Sequence, residues 1–366
     1  MTPALFQKYL RKNPAPPAGF SGIRCAAVVP LYNELANLPQ LLVNWAEAVA
    51  AAPEPVAFIT VVNFPAGSDD GESRKSWEFL LEKRQEFPFV YPIYAPGLAN
   101  GVGEARKIGM DSFLHSCSDH AAAREAVICS LDGDTLIEKE YFVQVIPAIR
   151  QRGGAATVGL SHRQPEDPLL AEAIKRYENH QREYVKLLRQ AGSSYAFFAV
   201  GSAFAVRGDA CVRCGGMRKR KAGEDFYFLQ AVEKCDHVFS IEKVLVHPSP
   251  RISKRVPFGT GPAMESLLNG GKLAPWQPEA FAALREILTR ASDDELLRTP
   301  EKFTAALPEK IREFFTAENF DDAWKKVLQN LPDDPVLRQK SFKNWFDGLK
   351  QLRFIHFFSK YYSRWS

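Results

Sequence analysis

The chain has 366 residues, with 47 lysines plus arginines against 43 aspartates plus glutamates, a net charge of +4 and 46% hydrophobic residues. This length suits one large α/β domain with an appendage, and 12% aromatic residues provide apolar surface for a core, which excludes a wholly disordered chain. The nearly balanced charge argues against a protein that coats nucleic acid, so any anion must be bound by local clusters.

Cysteine usage and hydropathy indicate the compartment. Six cysteines are too few and too irregularly spaced for a disulfide framework, which favours a reducing environment. The N-terminal stretch MTPALFQKYLRKNPAPP carries charge throughout and lacks the apolar run of a secretory signal. No apolar run is long enough to span a bilayer. We therefore expect a cytoplasmic protein, or one that is attached peripherally to the inner face of a membrane.

Residues 1–23 are predicted to form a short helix and a stiff, proline-rich lead-in. From residue 24 onward, short apolar runs alternate with amphipathic stretches at 37–51, 72–86, 103–116 and 138–151. The apolar runs lie at 25–30, 56–62, 89–94, 126–131 and 155–160. Apolar runs without alternation are typical of parallel strands that are buried on both faces and joined by helices. The pattern predicts an α/β domain over residues 24–262, with a mostly parallel central sheet flanked by helices.

The second half of the chain changes character. Residues 169–190 are predicted to form a longer helix, followed by an apolar segment at 195–206 and a glycine-rich basic loop at 215–221. Another helix is predicted to start near Glu224. Strand-like runs then cease, and residues 263–366 are predicted to form a helical appendage.

The end of this appendage is basic and rich in aromatic residues. The helical spacing of Phe342, Trp345 and Phe346 favours packing on the α/β domain or on a second copy in a homodimer. The alternative is contact of this aromatic stretch, which extends to Trp365, with an anionic membrane surface.

The first candidate site follows the fourth predicted strand, at Asp132-Gly133-Asp134. In an extended segment residues two apart point to the same side, so Asp132 and Asp134 present two carboxylates together. Such oxygen ligands suit Mg²⁺ or Mn²⁺ held jointly with a diphosphate, and ligands of open α/β sheets gather at the carboxyl ends of strands. The alternative is a polar turn that precedes the next helix.

Residues 28–34, VVPLYNE, leave the first strand toward the same edge of the predicted sheet. Tyr32 offers a ring face and Glu34 a carboxylate, which together suit a nucleotide base. The alternative is that Asn33 or Asn37 caps the following helix.

Two further segments combine a helix start with charge. Residues 100–107, NGVGEARK, place Arg106 and Lys107 behind a glycine-rich turn, which suits a diphosphate. Arg106 replaces the third glycine of a dinucleotide fingerprint and the segment follows the third strand, which disfavours a Rossmann dehydrogenase. Glu224 and Asp225 either complement the dipole of the helix that they start or supply a general base for an acceptor hydroxyl.

Taken in chain order, five segments resemble one family. VVPLYNE, VVNFPAGSDD, NGVGEARKIGMD, LDGD and GEDFYF are similar to motifs of the inverting family 2 glycosyltransferases, which have the GT-A fold. The resemblance covers residues 24–262. It implies transfer of a sugar from a UDP- or GDP-type nucleotide-diphosphate donor to a hydroxyl of a glycan or lipid-linked acceptor, with inversion and assisted by Mg²⁺ or Mn²⁺.

The resemblance also implies roles for individual residues. These are the base-binding loop with Pro30, Tyr32 and Glu34, the ribose-binding or metal-proximal carboxylate Asp132, the metal ligand Asp134, and the catalytic base Asp225 with Glu224 beside it. Asn63 departs from the family, because it stands where an acidic pair is usual, with Asp69 and Asp70 further on. Asn63 still accepts a hydrogen bond but carries no charge, so the choice between uracil and guanine stays open. His247 matches the position of a third metal ligand in some GT-A enzymes, and the alternative is a solvated loop histidine.

The mechanism implied by the resemblance is a single displacement. A cation on Asp134 neutralises the diphosphate leaving group, and Asp225 takes the proton from the attacking hydroxyl. The cations at 218–221, or Arg251 and Arg255, close over the diphosphate in this interpretation. In the alternative interpretation they form a solvated surface loop.

Three other hypotheses stay open. His247 as a ligand would permit a retaining transferase, although a placed base argues against it. A protein of another class would bind nucleotide sugars without catalysis, or act as a scaffold that assembles through its helical tail. The pair Cys211 and Cys214 weakly suggests zinc, but buried free thiols are favoured.

Overall fold

The structure of the protein is a computed structural model that describes residues 1–68, 71–251 and 260–362, with the main chain alone for residues 361 and 362. Four residues named in the sequence-based predictions lie outside the described residues: the carboxylates Asp69 and Asp70, the cation Arg255 and the aromatic Trp365. The chain divides into two compact units. The first contains Met1–Glu178 and Phe197–Lys272, and the second contains Asn179–Ala196 and the described residues from Leu273 onward.

The first unit holds a mixed central sheet. Its described strands are β1 (Cys25–Leu31), β2 (Val56–Pro65), β3 (Val90–Leu98), β4 (Val127–Ser130), β5 (Leu136–Ile137), β6 (Ala155–Leu160), β7 (Phe204–Arg207) and β8 (Val238–His247). They follow the order β3-β2-β1-β4-β7-β6-β8-β5. Pairing is parallel from β3 to β4, whereas β7 is antiparallel to both of its neighbours. The five predicted strands correspond to β1, β2, β3, β4 and β6, which confirms the α/β class.

Ten helices start in the described residues of the first unit. They are α1 (Pro3–Lys12), α2 (Leu38–Ala51), α3 (Gly71–Lys83), α4 (Gly101–Ser116), α5 (His120–Glu125), α6 (Tyr141–Arg152), α7 (Pro168–Gln190), α8 (Gly208–Arg213), α9 (Glu224–Cys235) and α10 (Thr260–Leu268). Alternate residues of β1, such as Ala27 and Val29, face the core formed with α2 and α6. Val28 points the other way, where a Cβ on Gly109 of α4 would come within 2.4 Å of its Cγ1. Only glycine fits that close approach without displacing the valine.

The N-terminal helix α1 packs on the first unit through polar contacts. Tyr9 donates a hydrogen bond of 2.6 Å to Asp111 Oδ1, and Lys107 Nζ lies 2.7 Å from Asp111 Oδ2 and 2.6 Å from Asn13 Oδ1. Tyr9 and Asp111 are both buried. A Cβ on Gly216, whose φ is +77°, would lie 2.2 Å from the Tyr9 hydroxyl oxygen. The predicted lead-in is therefore a packed part of the sheet-containing unit.

The second unit is helical in its described residues. Besides the C-terminal part of α7 it contains α11 (Pro278–Arg290), α12 (Asp294–Arg298), α13 (Pro300–Ala305), α14 (Glu309–Ala317), α15 (Phe320–Gln329), α16 (Pro335–Trp345) and α17 (Gly348–Tyr362). Aromatic side chains form its core. Phe342 packs against Phe303 at 5.3 Å between ring centroids, and Phe354 packs against Phe314 at 5.2 Å. These aromatic residues are thus buried within the second unit itself. Among the described helices, none has the length and apolarity that a bilayer crossing requires.

Candidate active site

The carboxyl ends of the parallel strands β1, β2 and β4 share one edge of the sheet, and the turn after β4 packs on the loop after β1. Leu131 N donates to Val28 O at 3.1 Å, which continues the pairing one residue beyond β4. A Cβ on Gly133 would lie 2.6 Å from Leu31 Cδ2 and 2.9 Å from Glu34 Cγ. Gly133 therefore allows the two loops to approach closely.

Arg106 of α4 joins this turn to the start of α9. Its guanidinium contacts the carboxylates of Asp132 and Glu224, and its Nε donates to Ser130 Oγ at 3.1 Å. The Arg106 side chain is 3% exposed, and a Cβ on Gly201 would lie 2.3 Å from its Nη2. Arg106 is thus a buried cation that holds acids from two distant segments, instead of facing an open phosphate pocket as the sequence suggested.

Glu224 and Asp225 occupy the first turn of α9, after Gly223 with a φ of +69°. Burial raises the pKa of Glu224, and the charge of Arg106 opposes this. Burial also raises the pKa of half-buried Asp225. The charge of Arg106 and the hydrogen bond from the Phe226 N–H oppose this rise, and the charge of Asp132 adds to it. A carboxylate with a raised pKa is a stronger base when it is ionised. Asp225 is therefore chemically suited to accept a proton.

A second arginine, Arg251, ties Asp134 to the loop after β1. Its Nε lies 2.7 Å from Asp134 Oδ2, and its Nη1 lies 3.0 Å from Glu34 Oε2. Asn37 Nδ2 donates to the same Glu34 oxygen at 2.6 Å. Burial raises the pKa of Asp134 to about 6, and the neighbouring charge of Asp132 adds to this, while Arg251 opposes it.

Two of the three predicted metal ligands fit a divalent cation. Asp132 and Asp134 provide only oxygen donors, and the largely buried Asp134 carboxylate, which the charge of Asp132 repels, favours a bound cation. Mg²⁺ typically uses one or two carboxylates together with substrate phosphates. In the part of the chain that the structure describes, no group of three or more acidic, histidine or cysteine side chains is arranged to hold a metal ion.

His247 does not join these carboxylates. Its Nδ1 lies 3.0 Å from the main-chain oxygen of Ser161, and its Nε2 lies 2.7 Å from Glu138 Oε1. With both ring nitrogens engaged, the side chain has no lone pair directed at a metal. The structure thus engages His247 with Ser161 and Glu138 instead of with its predicted partners.

The predicted base-binding residues differ in position. Pro30 is buried inside β1, whereas Tyr32 is half-buried in the loop beyond it. Asn33 has a φ of +53°, in the left-handed region that asparagine tolerates. Asn63 is buried at the end of β2, and its Nδ2 donates to Leu31 O and Val61 O at 3.1 and 3.0 Å. Its Oδ1 is then the atom of this side chain that can accept a hydrogen bond from a base.

The other predicted cations do not surround the carboxylates. Lys107 takes part in the contacts with α1 described above. In the basic loop, Lys219 Nζ lies 2.7 Å from Glu104 Oε1, and the Arg220 guanidinium lies 3.7 Å from the centre of the Tyr227 ring. The loop is thus packed on the start of α4.

The cysteines are free thiols in the structure. Burial raises the pKa of Cys211 well above its usual range and that of Cys214 to about 12. Both values favour the protonated, unreactive thiol over a metal-binding thiolate.

A groove lies beside the site, along the loop between β6 and α7. Arg163 Nη2 donates to Asp134 O at 3.1 Å, and Arg163 N donates to Pro248 O at 3.0 Å. The same loop and the start of α7 line a cavity of about 510 Å³. Its polar lining includes Ser161, His162, Gln164, Glu166, Lys175 and Glu178.

Comparisons with known proteins give limited similarity. No protein-family model matches the chain, and no curated protein matches its sequence. S. aureus TarS 1–349 in complex with UDP-GlcNAc is similar, with 13% identity, a TM-score of 0.46 and coverage of 85% of this chain and 93% of that one. The mannosyltransferase PcManGT from Pyrobaculum calidifontis, in complex with GDP-Man and Mn²⁺, has 16% identity, a TM-score of 0.43 and coverage of 94% and 93%. Glucosyl-3-phosphoglycerate synthase from Mycobacterium tuberculosis, in complex with phosphoglyceric acid, has 10% identity, a TM-score of 0.37 and coverage of 78% and 83%.

Proposed function

We propose that the protein is an inverting glycosyltransferase with the GT-A fold, which transfers a sugar from a UDP- or GDP-type donor to an acceptor hydroxyl. The observation that carries the proposal is the contact of Arg106 with both Asp132 and Glu224. This contact joins Asp132, at the end of β4, to the start of α9, which carries the expected base Asp225. The carboxylates expected to serve the donor and the expected base therefore belong to one charged cluster. A carboxylate that burial makes more basic, placed in that cluster, supports catalysis over binding alone.

The residues of the chain divide the chemistry between them. Asp225 accepts the proton of the acceptor hydroxyl as it attacks the anomeric carbon, and attack from the face opposite the leaving group inverts that carbon. Glu224 pairs with Arg106 and so fixes the start of α9, which carries Asp225. Tyr32 and the Asn63 oxygen serve the base of the donor.

Asp134 and Asp132 would hold Mg²⁺ or Mn²⁺ together with the donor diphosphate, and His247 is left out of this set. When bound, the cation would neutralise the negative charge that develops on the leaving diphosphate. Arg106 keeps Asp132 in place from the side of the protein interior.

The groove beside Arg163 is the proposed acceptor side of the site. Its lining of hydroxyl, amide and carboxylate groups suits the hydroxyls of a glycan or of the head group of a lipid-linked acceptor. We keep the cytoplasmic or membrane-peripheral location, and a homodimer through the C-terminal helices, as proposals from the sequence.

The test is turnover of UDP- and GDP-sugars, measured as nucleotide diphosphate release with and without Mn²⁺. We expect Asp225→Asn and Asp134→Asn each to lower the rate at least about a hundredfold, as loss of a general base or a charge-stabilising group does. Asp322→Asn, an exposed carboxylate of α15, is the matched control. The proposal fails if neither site variant slows a wild-type protein that is active, or if no donor stabilises the wild type against heat.

A further inference from the structure

Arg251 neutralises two carboxylates that come from different loops of the candidate site. Its Nε is 2.7 Å from Asp134, and its two terminal nitrogens contact the two oxygens of Glu34. The Glu34 side chain is 3% exposed and that of Asp134 is 13% exposed, whereas Arg251 is 35% exposed. A half-exposed arginine therefore covers two largely buried charges.

This pairing uses the same atoms that a donor would need. The Arg251 guanidinium opposes a divalent cation on Asp134, because two positive groups held on the same carboxylate repel each other at contact distance. Both carboxylate oxygens of Glu34 are likewise taken up by the guanidinium. Cation binding at Asp134 and recognition of a base by Glu34 should therefore both be weaker while Arg251 stays in place.

We propose that Arg251 is the internal counter-cation of the free donor site and competes with the divalent cation for Asp134. When a donor binds, Arg251 exchanges the two carboxylates for the phosphate oxygens of the donor. This second part of the inference rests on the proposed function, whereas the competition for Asp134 does not. A guanidinium pairs with phosphate as readily as with carboxylate, so a nucleoside diphosphate gives the displaced Arg251 a new partner. The free protein then binds the cation weakly, and nucleotide and cation strengthen each other's binding.

The first experiment measures Mn²⁺ binding to the full chain without nucleotide, by the loss of the free-ion paramagnetic resonance signal. We expect Arg251→Gln to bind Mn²⁺ at least about fivefold more tightly than the wild type, since a positive charge next to the ligand is removed. Arg207→Gln is the matched control, because Arg207 pairs with Asp209 at 2.6 Å elsewhere in the first unit. The double variant with Asp134→Asn should lose the gain.

Two results overturn the competition. One is an Arg251→Gln protein whose Mn²⁺ affinity stays within about twofold of the wild type. The other is an increase in Mn²⁺ affinity on Arg251→Gln that persists when Asp134 is also replaced by asparagine. If Arg251→Gln does not fold, Arg251→Met gives the same answer, because it also removes the positive charge, and Mn²⁺ affinity should again rise above that of the wild type.

The second experiment repeats the titration with UDP and with GDP. We expect nucleotide to increase Mn²⁺ affinity by a larger factor in the wild type than in Arg251→Gln, because only the wild type must displace an arginine. An equal factor in both proteins overturns the exchange. Absence of nucleotide binding in both proteins contradicts the proposed function instead, while the nucleotide-free titration still decides the competition.

Discussion

The guanidinium of Arg106 contacts the carboxylate of Glu224, which lies 118 residues further along the chain, and the two side chains are 3% and 5% exposed. The pair fastens the first turn of α9 to α4. It therefore serves both the stability of the first unit and the position of Asp225.

Replacing Arg106 by methionine should be strongly destabilising. Glu224 would remain buried without a cation, and loss of one partner of a buried ion pair costs about 3–5 kcal/mol. The measurement is the free energy of unfolding in urea. Arg176→Met is the control, since Arg176 forms an exposed pair with Glu172 at 3.0 Å and its loss should cost less than about 1 kcal/mol. Equal losses in the two variants would contradict the structural role of Arg106.

The close approach of α4 to β1 predicts a cost for a single methyl group. Gly109→Ala should lower the free energy of unfolding by about 1–3 kcal/mol, because its Cβ would overlap Val28 Cγ1. In the double variant with Val28→Ala the loss should be smaller than the sum of the two single losses. Strict additivity, or a more stable Gly109→Ala protein, would argue against this contact.

The activity should depend on pH through Asp225. Only the ionised carboxylate is a base, so activity should rise with pH through the pKa of Asp225, which burial places above the ordinary range near about 4. Arg106 lowers this pKa, so Arg106→Gln should shift the acidic limb of the profile to higher pH. The kcat profile from about pH 4 to 8 checks this. A shift to lower pH, or none in a folded variant, would assign the limb to another group.

If the groove beside the site binds the acceptor, a charge change at its rim should alter the KM for the acceptor and leave the KM for the donor nearly unchanged. Glu166 is exposed at its rim, so Glu166→Lys should change the KM for the acceptor several-fold more than the KM for the donor. Glu295→Lys, at a side chain that is 87% exposed in the second unit, is the control for a general change of charge. Equal changes in both KM values would place the acceptor elsewhere.

Local patterns were sufficient to predict much of the sheet. Uninterrupted apolar runs indicated β1, β2, β3, β4 and β6, because a strand that is buried on both faces consists mostly of consecutive apolar residues. β8 was not predicted, since it contains Glu242 and Lys243 in an otherwise apolar run. The helix expected from 138 begins at Tyr141, because Leu136 and Ile137 pair with the end of β8.

The site was predictable where its residues are close in sequence and not where they are distant. Asp132 and Asp134 share a turn, and Glu224 and Asp225 share a helix start, so residue spacing alone brought each pair together. The contact of Arg251 with Glu34 joins positions 217 residues apart, and no local pattern specifies it. The adjacent Arg106 and Lys107 point to different partners, because neighbouring positions on a helix lie about 100° apart.

The hydrogen bond between Tyr9 and Asp111 sets a practical limit on how this protein can be shortened for experiments. Expression from residue 24, the boundary that the proline-rich segment suggests, would remove Tyr9 and Asn13. Buried Asp111 would keep only Lys107 among these partners, and the surface that α1 covers would be open to solvent. A poorly soluble truncated protein would then reflect the missing helix, and a purification tag is better placed away from these first residues.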